Sequence, residues 1–266
     1  MHSHCKITLA EGMTLPKHLE NVTILQNRQI ADGMYEITLS APTIAQEAKP
    51  GQFLHVQVSD AVAPLLRRPI SIADVTVDRI MLIYRVIGKG TEVLAKRQAG
   101  ETISLLGPLG HGFPTDELMG KKVLLIGGGV GIAPLIYVAN TVAGSDILMG
   151  GRTRSDLFWT SYYGSCEDIF ITTDDGTMGM KGFTVDALPQ ILADKSYDAI
   201  CTCGPEIMMK RVAQIASEHQ VPCYVSLEKH MACGLGACLS CTCEAKDGTR
   251  KKVCTHGPVF RAEEVF

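Results

Sequence analysis

From Asn21 to about Ser104, apolar and polar residues alternate in short runs. VTILQNRQI, MYEITLSAP, QFLHVQVSD, ISIADVTVD, RIMLIYRVI and ETISLLG are rich in β-branched side chains and separated by Gly, Asp and Pro. Alternation at this spacing predicts short strands closing into an antiparallel β-barrel or a sandwich. Thr91–Arg97 is the one helical interruption. Gly107–Gly120 (GPLGHGFPTDELMG) is turn-rich and reads as a junction. Beyond it the apolar runs become continuous. KKVLLIGGGVGIAPLIYVANTVA reads as strand, glycine turn and helix, and DILMGGRT and DIFITTDDG as strands. TVDALPQIL follows as a helix, YDAICTCGP as a strand, EIMMKRVAQIASEH as a helix and VPCYVSL as the final strand. Strands alternating with helices predict a doubly wound parallel α/β sheet. The Cys-rich remainder forms a third unit. The expected division is an extension over 1–20, a β-barrel over 21–114, an α/β domain over 115–227 and a small Cys-rich domain over 228–266.

Composition narrows the function classes. A chain of 266 residues, 46% apolar and 20% charged, is long enough for two cores and too apolar for disorder. A net charge of −3 with scattered Lys and Arg argues against nucleic acid as a partner. No run of eighteen apolar residues predicts a membrane span, and the N-terminus lacks a basic end followed by an apolar stretch, so the cytoplasm is the expected location. Ten cysteines in a reducing compartment argue for metal or redox chemistry rather than disulfides, and five of them lie between Cys233 and Cys254.

The spacing Cys233-x4-Cys238-x2-Cys241-x12-Cys254 is that of plant-type [2Fe–2S] ligands. Two bridged irons need four thiolates, two per iron. A short loop presents three of them, and Gly234, Gly236 and Ala237 let its backbone approach the cluster. Zinc ribbons usually carry two C-x2-C pairs or Cys/His mixtures, whereas only one C-x2-C occurs here. Cys243 is expected to be a small buried residue facing away from the site. For His230 and His256, hydrogen bonding or exposure is expected, because four thiolates already complete the set.

Two further segments carry candidate chemistry. Gly127, Gly128, Gly129 and Gly131 form a turn between a strand and a helix, a place where a pyrophosphate can meet backbone N–H groups. G-x-G-x-x-G fits in no register, and tight strand-to-helix packing also calls for glycine. In the barrel, Arg68, Pro69, Ile70 and Ser71 start a strand, followed by Ile83, Tyr84 and Arg85 and by Gly90 and Thr91 at a helix start. Arginine binds pyrophosphate as a bidentate fork, a hydroxyl at a helix start favours phosphate, and Ser71 suits a flavin ring nitrogen. An ordinary ion pair and a plain helix cap explain the same residues.

The order of barrel, nucleotide domain and cysteine loop resembles the ferredoxin-reductase-like flavoproteins. The closer match is the family of electron-transfer subunits of B-type dihydroorotate dehydrogenase. Arg68-Pro69-Ile70-Ser71 looks like its flavin motif. GGGVGIAPL, Asp174-Asp175-Gly176 and Cys203-Gly204-Pro205 with Met208-Met209 look like its nicotinamide motifs, and SLEKHMACGLGACLSCTC with VCTHGPVF like its cluster segment. The resemblance covers the chain from about Asn21 onward. It implies FAD on Arg68–Ser71, Ile83–Arg85 and Gly90–Thr91, a [2Fe–2S] cluster on Cys233, Cys238, Cys241 and Cys254, and NAD as an exchangeable substrate. It also implies an FMN-containing catalytic partner that oxidises dihydroorotate in pyrimidine biosynthesis, two of each subunit in a heterotetramer, and no catalytic acid, base or nucleophile in this chain. Sulfide dehydrogenase or NADPH–ferredoxin oxidoreductase, sulfite reductase and hydrogenase complexes share this architecture. A zinc-binding interaction module is the alternative outside the enzymes.

Overall fold

The computed structural model describes residues 18–59 and 61–266. Most of the expected N-terminal extension therefore lies outside the described residues. Strand β1 (His18–Ala31) is long because it pairs twice. Its first half lies against β6 (Thr102–Leu109), and the half from Thr23 onward against β2 (Met34–Ser40). With β3 (Phe53–Val56), β4 (Arg68–Thr76) and β5 (Arg79–Arg85) these strands close a barrel in the order β1-β2-β5-β4-β3-β6. Alternate residues point inward, and Ile24, Ile37, Leu39, Leu54, Ile72 and Leu82 fill the interior. Helix α1 (Pro42–Glu47) crosses between β2 and β3, and α2 (Lys89–Ala95) follows β5, starting two residues earlier than the sequence suggests.

The strands of the barrel do not stay paired along their whole length. β4 meets β5 only over Ile72–Thr76, with a bulge between Ile72 and Asp74, while Arg68–Ser71 pair with β3 instead. A bulge bends and twists its strand. Arg68–Ser71 and Ile83–Arg85 therefore stand at an open seam of the barrel.

After α3 (Thr115–Leu118) comes β7 (Val123–Gly128), then α4 (Ala133–Thr141), β8 (Asp146–Gly151), β9 (Ile169–Thr173), β10 (Met180–Lys181), α5 (Thr184–Asp194), β11 (Ala199–Cys203), α6 (Glu206–Glu218) and β12 (Cys223–Ser226). The sheet runs β10-β9-β8-β7-β11-β12, all parallel. Every residue of β7 is buried because both faces of the sheet are covered, which is why its apolar run is unbroken. Strand order reverses between β7 and β11, the switch point at which such sheets bind ligands. At the opposite end of the sheet Asp146 is fully buried. It accepts hydrogen bonds from Tyr197 Oη (2.7 Å), Lys195 Nζ (3.1 Å) and the Asp168 N–H (3.0 Å), with Lys122 Nζ at 3.4 Å. Burial opposes its charge, but these donors outweigh burial and hold its pKa below the ordinary carboxylate value.

Barrel and sheet are latched together. Glu36, buried in β2, accepts hydrogen bonds from Arg28 Nε (2.9 Å) and from Tyr162 Oη (2.7 Å), which comes from the other layer. Tyr137 on α4 donates to the Ala48 carbonyl at 2.9 Å.

The sequence marks VPCYVSL as the last strand of the sheet, yet one more follows. After the cysteine loop and the hairpin β13 (Thr242–Glu244) with β14 (Arg250–Lys252), strand β15 (Val259–Arg261) returns to pair antiparallel with β12. Three residues carry no periodicity to detect. Helix α7 (Ala262–Val265) ends the chain's regular structure, and a bridge joins Pro258 to His111 at the barrel's exit. Among the described residues no helix is long and apolar enough to cross a membrane.

Candidate cofactor cleft and cysteine cluster

A cleft of about 1080 Å³ opens at the barrel seam. Arg68, Pro69, Ile70, Ser71, Ile83, Tyr84, Arg85, Gly90 and Thr91 all line it. The sequence motifs, far apart along the chain, therefore meet in one place. Tyr84 is nevertheless committed elsewhere. Its ring stacks on Tyr35 at 5.8 Å and its hydroxyl donates to Asn27 Oδ1 at 3.1 Å, so the side chain belongs to the barrel and burial raises its pKa. Arg67, next to the flavin motif, is also structural, donating to the Ser104 carbonyl (2.9 Å) and to Gln57 Oε1 (3.0 Å). Arg68 instead lies over the start of α2, where a methyl on Gly90 would come within 2.4 Å of its guanidinium carbon. The Thr91 hydroxyl donates to the Gly88 carbonyl at 3.0 Å and accepts from the Ile87 N–H at 3.0 Å, fixing the turn beneath. Arg68, Arg85 and Lys89 concentrate positive charge at this end of the cleft. An FAD pyrophosphate fits that set, since it requires forked donors beside close backbone.

The far wall of the cleft is built from the motifs that resemble the nicotinamide and cluster segments, together with Phe53. Phe53, Val130, Ala133 and Pro134 line it, as do residues of the segment 226–232 and Ser240. Only Phe53 lies outside the quoted motifs, and none of these wall residues was singled out as a cofactor contact. The cleft thus passes from the flavin motif to the ends of the cysteine loop.

The glycine turn and the Cys203-Gly204-Pro205 turn interlock at the switch point, with Val130 of the first turn reaching the wall while its glycines lie beside it. Cys203 is paired with Gly127 across the sheet. A methyl on Gly131 would lie 2.5 Å from Gly204 Cα, and one on Gly128 2.9 Å from Met208 Sδ. Gly129 has φ +59° with open space around its missing side chain. Close packing thus accounts for Gly131 and Gly128, while Gly129 leaves backbone accessible. Cys203 is buried, and burial together with the charge of Glu228 raises its thiol pKa.

The four cysteines form two pairs. Cys233 Sγ accepts from the Cys238 N–H at 3.4 Å and the Leu235 N–H at 3.3 Å, and Cys241 Sγ from the Cys254 N–H at 3.4 Å. Cys241 and Cys254 are buried, Cys233 is half-buried and Cys238 exposed. Burial opposes ionisation of Cys233, but the surrounding N–H donors and the Cys238 thiol lower its pKa to about 7. Cys254 is pushed up to about 12 by burial and then by Cys241 beside it. Gly234 (φ +69°) and Gly236 (φ +78°) take the left-handed turns that wrap the loop. Among the described residues no three or more His, Cys, Asp or Glu gather around a point suited to one metal ion. Two thiol pairs with N–H groups aimed at sulfur suit two bridged irons better than one zinc. Cys243 is half-buried in β13, packed on the core, with burial raising its pKa. His256 accepts from the Lys252 N–H at 3.0 Å, and His230 is exposed.

Comparison with known proteins agrees with this layout. Residues 228–266 match the model of the iron-sulfur cluster binding domain of dihydroorotate dehydrogenase B. The electron transfer subunit of dihydroorotate dehydrogenase B (NAD(+)) from Geobacillus thermodenitrificans is 40% identical over 255 residues, spanning 92% of this chain and 98% of that protein. The subunit of the same name from Bacillus velezensis is 41% identical over 254 residues, again spanning 92% and 98%. Among solved structures, an NADH-dependent reduced ferredoxin-NADP oxidoreductase superposes with a TM-score of 0.81 at 30% identity, covering 97% of this chain and 91% of that one. A ferredoxin NADP+ reductase from Neisseria gonorrhoeae with bound FAD and NADP shares the fold, with a TM-score of 0.63 at 19% identity over 76% of this chain and 91% of that one. Barrel, doubly wound sheet and cysteine loop in this order, with such identity along nearly the whole length, mean that the chain belongs to the family of dihydroorotate dehydrogenase B electron transfer subunits.

Proposed function

We propose that this chain is the electron-transfer subunit of an NAD-dependent dihydroorotate dehydrogenase in pyrimidine biosynthesis, working in the cytoplasm beside an FMN-containing catalytic subunit, two of each per heterotetramer. The observation that carries the reading is the cleft that joins the flavin motif to the ends of the cysteine loop. When bound, FAD exchanges a hydride with NAD(H) and single electrons with a [2Fe–2S] cluster, and this chain supplies binding and orientation rather than acid or base catalysis.

Arg68 and Arg85 hold the pyrophosphate, and Ser71, at the foot of β4, offers a hydroxyl to the flavin ring. Pro69, Ile70, Ile83, the backbone of Tyr84 and the Gly90–Thr91 turn shape the remaining contacts. Gly127, Gly128, Gly129 and Gly131, with Cys203, Gly204 and Pro205, form the nicotinamide side. Cys233, Cys238, Cys241 and Cys254 would hold the [2Fe–2S] cluster. Cys238 and Leu239, both exposed, mark the face on which the catalytic subunit docks. The units are a segment over 1–20, the FAD barrel over 21–114, the NAD domain over 115–227 and the cluster unit over 228–266, the last lending β15 to the sheet.

Cys233→Ser or Cys254→Ser is expected to abolish cluster absorbance and electron transfer between subunits while NADH-driven dye reduction at FAD persists. Full transfer in a cluster-free variant refutes the scheme. A colourless protein holding zinc ends the iron–sulfur reading altogether. A second reading, a subunit of an NAD(P)H–ferredoxin oxidoreductase, is favoured by the TM-score of 0.81 to such an enzyme. Testing which substrate the purified complex oxidises, dihydroorotate or ferredoxin, decides between them.

A further inference from the structure

The contact between barrel and sheet is mostly apolar. Met34, Ala73 and Ile83 of the barrel share one buried core with Ile132, Trp159 and Tyr163 of the α/β layer. Apolar burial has no preferred direction, so by itself it fixes no angle between two layers. Set into this contact is a carboxylate. Glu36 lies on β2 with Arg28 of β1 and Ile83 of β5 as its partners in the two flanking strands. It is buried, and its two oxygens are used separately. Oε1 accepts from Arg28 Nε at 2.9 Å, and Oε2 from Tyr162 Oη at 2.7 Å. Burying such a charge is costly, and an apolar residue of similar volume often serves stability as well or better. What Glu36 adds is direction.

Tyr162 ends the short 3₁₀ turn Phe158–Tyr162, and Tyr163 follows it. The two neighbouring tyrosines have different targets. Tyr163 is fully buried and donates to the Ile132 carbonyl at 2.5 Å. Ile132 is the last residue of the glycine turn after β7. Tyr162 reaches Glu36, whose cross-strand neighbour Ile83 lines the cofactor cleft. Burial, and next the hydrogen bond to Glu36, raise the pKa of Tyr162, so its hydroxyl keeps the proton it donates. Two adjacent hydroxyls thus tie the flavin side of the barrel to the glycine turn of the sheet through one short stretch of chain.

We infer that Tyr162 and Glu36 are positioning residues for hydride exchange, holding the glycine turn in register with the flavin side of the cleft. The inference rests on the flavin and nicotinamide reading given above. The step is transfer of a hydride from NADH to FAD, giving NAD+ and the flavin anion FADH−. It requires the reacting atoms about 3–3.5 Å apart, and a misplacement of about 1 Å costs about 100-fold. Two layers free to slide on an apolar face lose that register before they lose each other.

Tyr162→Phe keeps the ring and removes only the bridging hydroxyl. Glu36→Gln keeps an oxygen for Tyr162 to donate to, and Glu36→Leu keeps none. Asp146→Asn, at the other end of the sheet, controls for general loss of stability. On the purified complex, stopped-flow bleaching of the flavin is followed over a range of NADH concentrations, with FAD content and calorimetric NAD+ affinity measured alongside. Tyr162→Phe and Glu36→Leu are expected to lower the limiting rate about 10- to 100-fold while NAD+ affinity and FAD content hold. Glu36→Gln and Asp146→Asn keep most of the wild-type rate. Amide hydrogen exchange gives a readout apart from turnover. In Tyr162→Phe the turn over 127–132 is expected to exchange faster, although none of its own atoms has changed. If Glu36→Leu does not fold, Tyr162→Phe decides. A wild-type limiting rate in Tyr162→Phe overturns the inference. So does an equal fall in Asp146→Asn, a loss of NAD+ affinity that accounts for the slower rate, or unaltered exchange in the turn. A wild type without flavin, or with flavin that NADH does not bleach, refutes the reading of the site itself.

Discussion

Under the proposed function, two residues govern how tightly the chain holds its cofactors. Arg68 lies over Gly90 at the charged end of the cleft, and a guanidinium fork binds a pyrophosphate as a lysine cannot. Arg68→Ala is expected to weaken FAD binding about 10- to 100-fold, from a lost charge-assisted contact of about 1.5–3 kcal/mol, with Arg68→Lys intermediate. Flavin per chain after gel filtration checks this, and full retention in the alanine variant removes Arg68 from the phosphate site. Gly131 is constrained differently. An added methyl would meet the backbone of Cys203 and Gly204 at 2.5–2.6 Å, and backbone cannot step aside as a flexible side chain can. Gly131→Ala is expected to cost about 1–3 kcal/mol in urea unfolding and to weaken NADH binding, while FAD stays bound. Unchanged NADH affinity would detach the glycine turn from nicotinamide binding.

At the scale of elements, what the sequence reveals depends on how local each cause is. The gathering of Cys233, Cys238 and Cys241 in one loop is legible because their close spacing leaves the chain no room for another element between them. The barrel strands and β7 are legible because burial imprints alternation or a continuous apolar run. The parting of β4 from β5 is not, since the bulge after Ile72 shows only when both strands are paired. β15 is three residues long, too short to imprint a period, and the packing of His55 against Gly234 joins residues far apart along the chain. The sheet's lower end illustrates the same point, because Asp146, Lys122, Lys195 and Tyr197 form one network only once folded. Asp146→Asn is expected to destabilise the protein by about 3 kcal/mol at pH 7, because two lysines lose their buried counter-charge. The Asp146 pKa is lowered on folding, so its contribution is complete above the ordinary carboxylate value of 3.8 and is lost as pH falls through the folded value. The difference in urea midpoint between wild type and variant should therefore be constant from pH 7 to about 5 and shrink below pH 4. A difference that is constant down to pH 3 would show that charge is not what Asp146 contributes.

The whole molecule is a barrel and a sheet latched through Glu36 and Tyr162, with the cysteine loop spanning the end of their shared cleft. The C-terminal segment is tied in at both of its ends without using any thiol, by β12 ahead of the loop and by β15 and the Pro258 bridge behind it. Stripping the metal should therefore free the loop without unseating the layers. In the iron-free protein, limited proteolysis is expected to cut between Met231 and Cys254, while FAD stays bound and the α/β unfolding transition is retained. Release of FAD on iron removal would show that the cluster, not the sheet, holds the layers together. The return of β15 has a consequence for the life of the protein in a cell. Cys254 and the strand that covers the outer rim of β12 belong to one short stretch of chain. Because that rim is sealed by backbone pairing and by buried Val259 and Phe260, with no thiol involved, the iron-free subunit is expected to keep it covered. A chain clipped before Val259 instead bares a row of unpaired amides, inviting neighbouring molecules to add themselves as strands and precipitate.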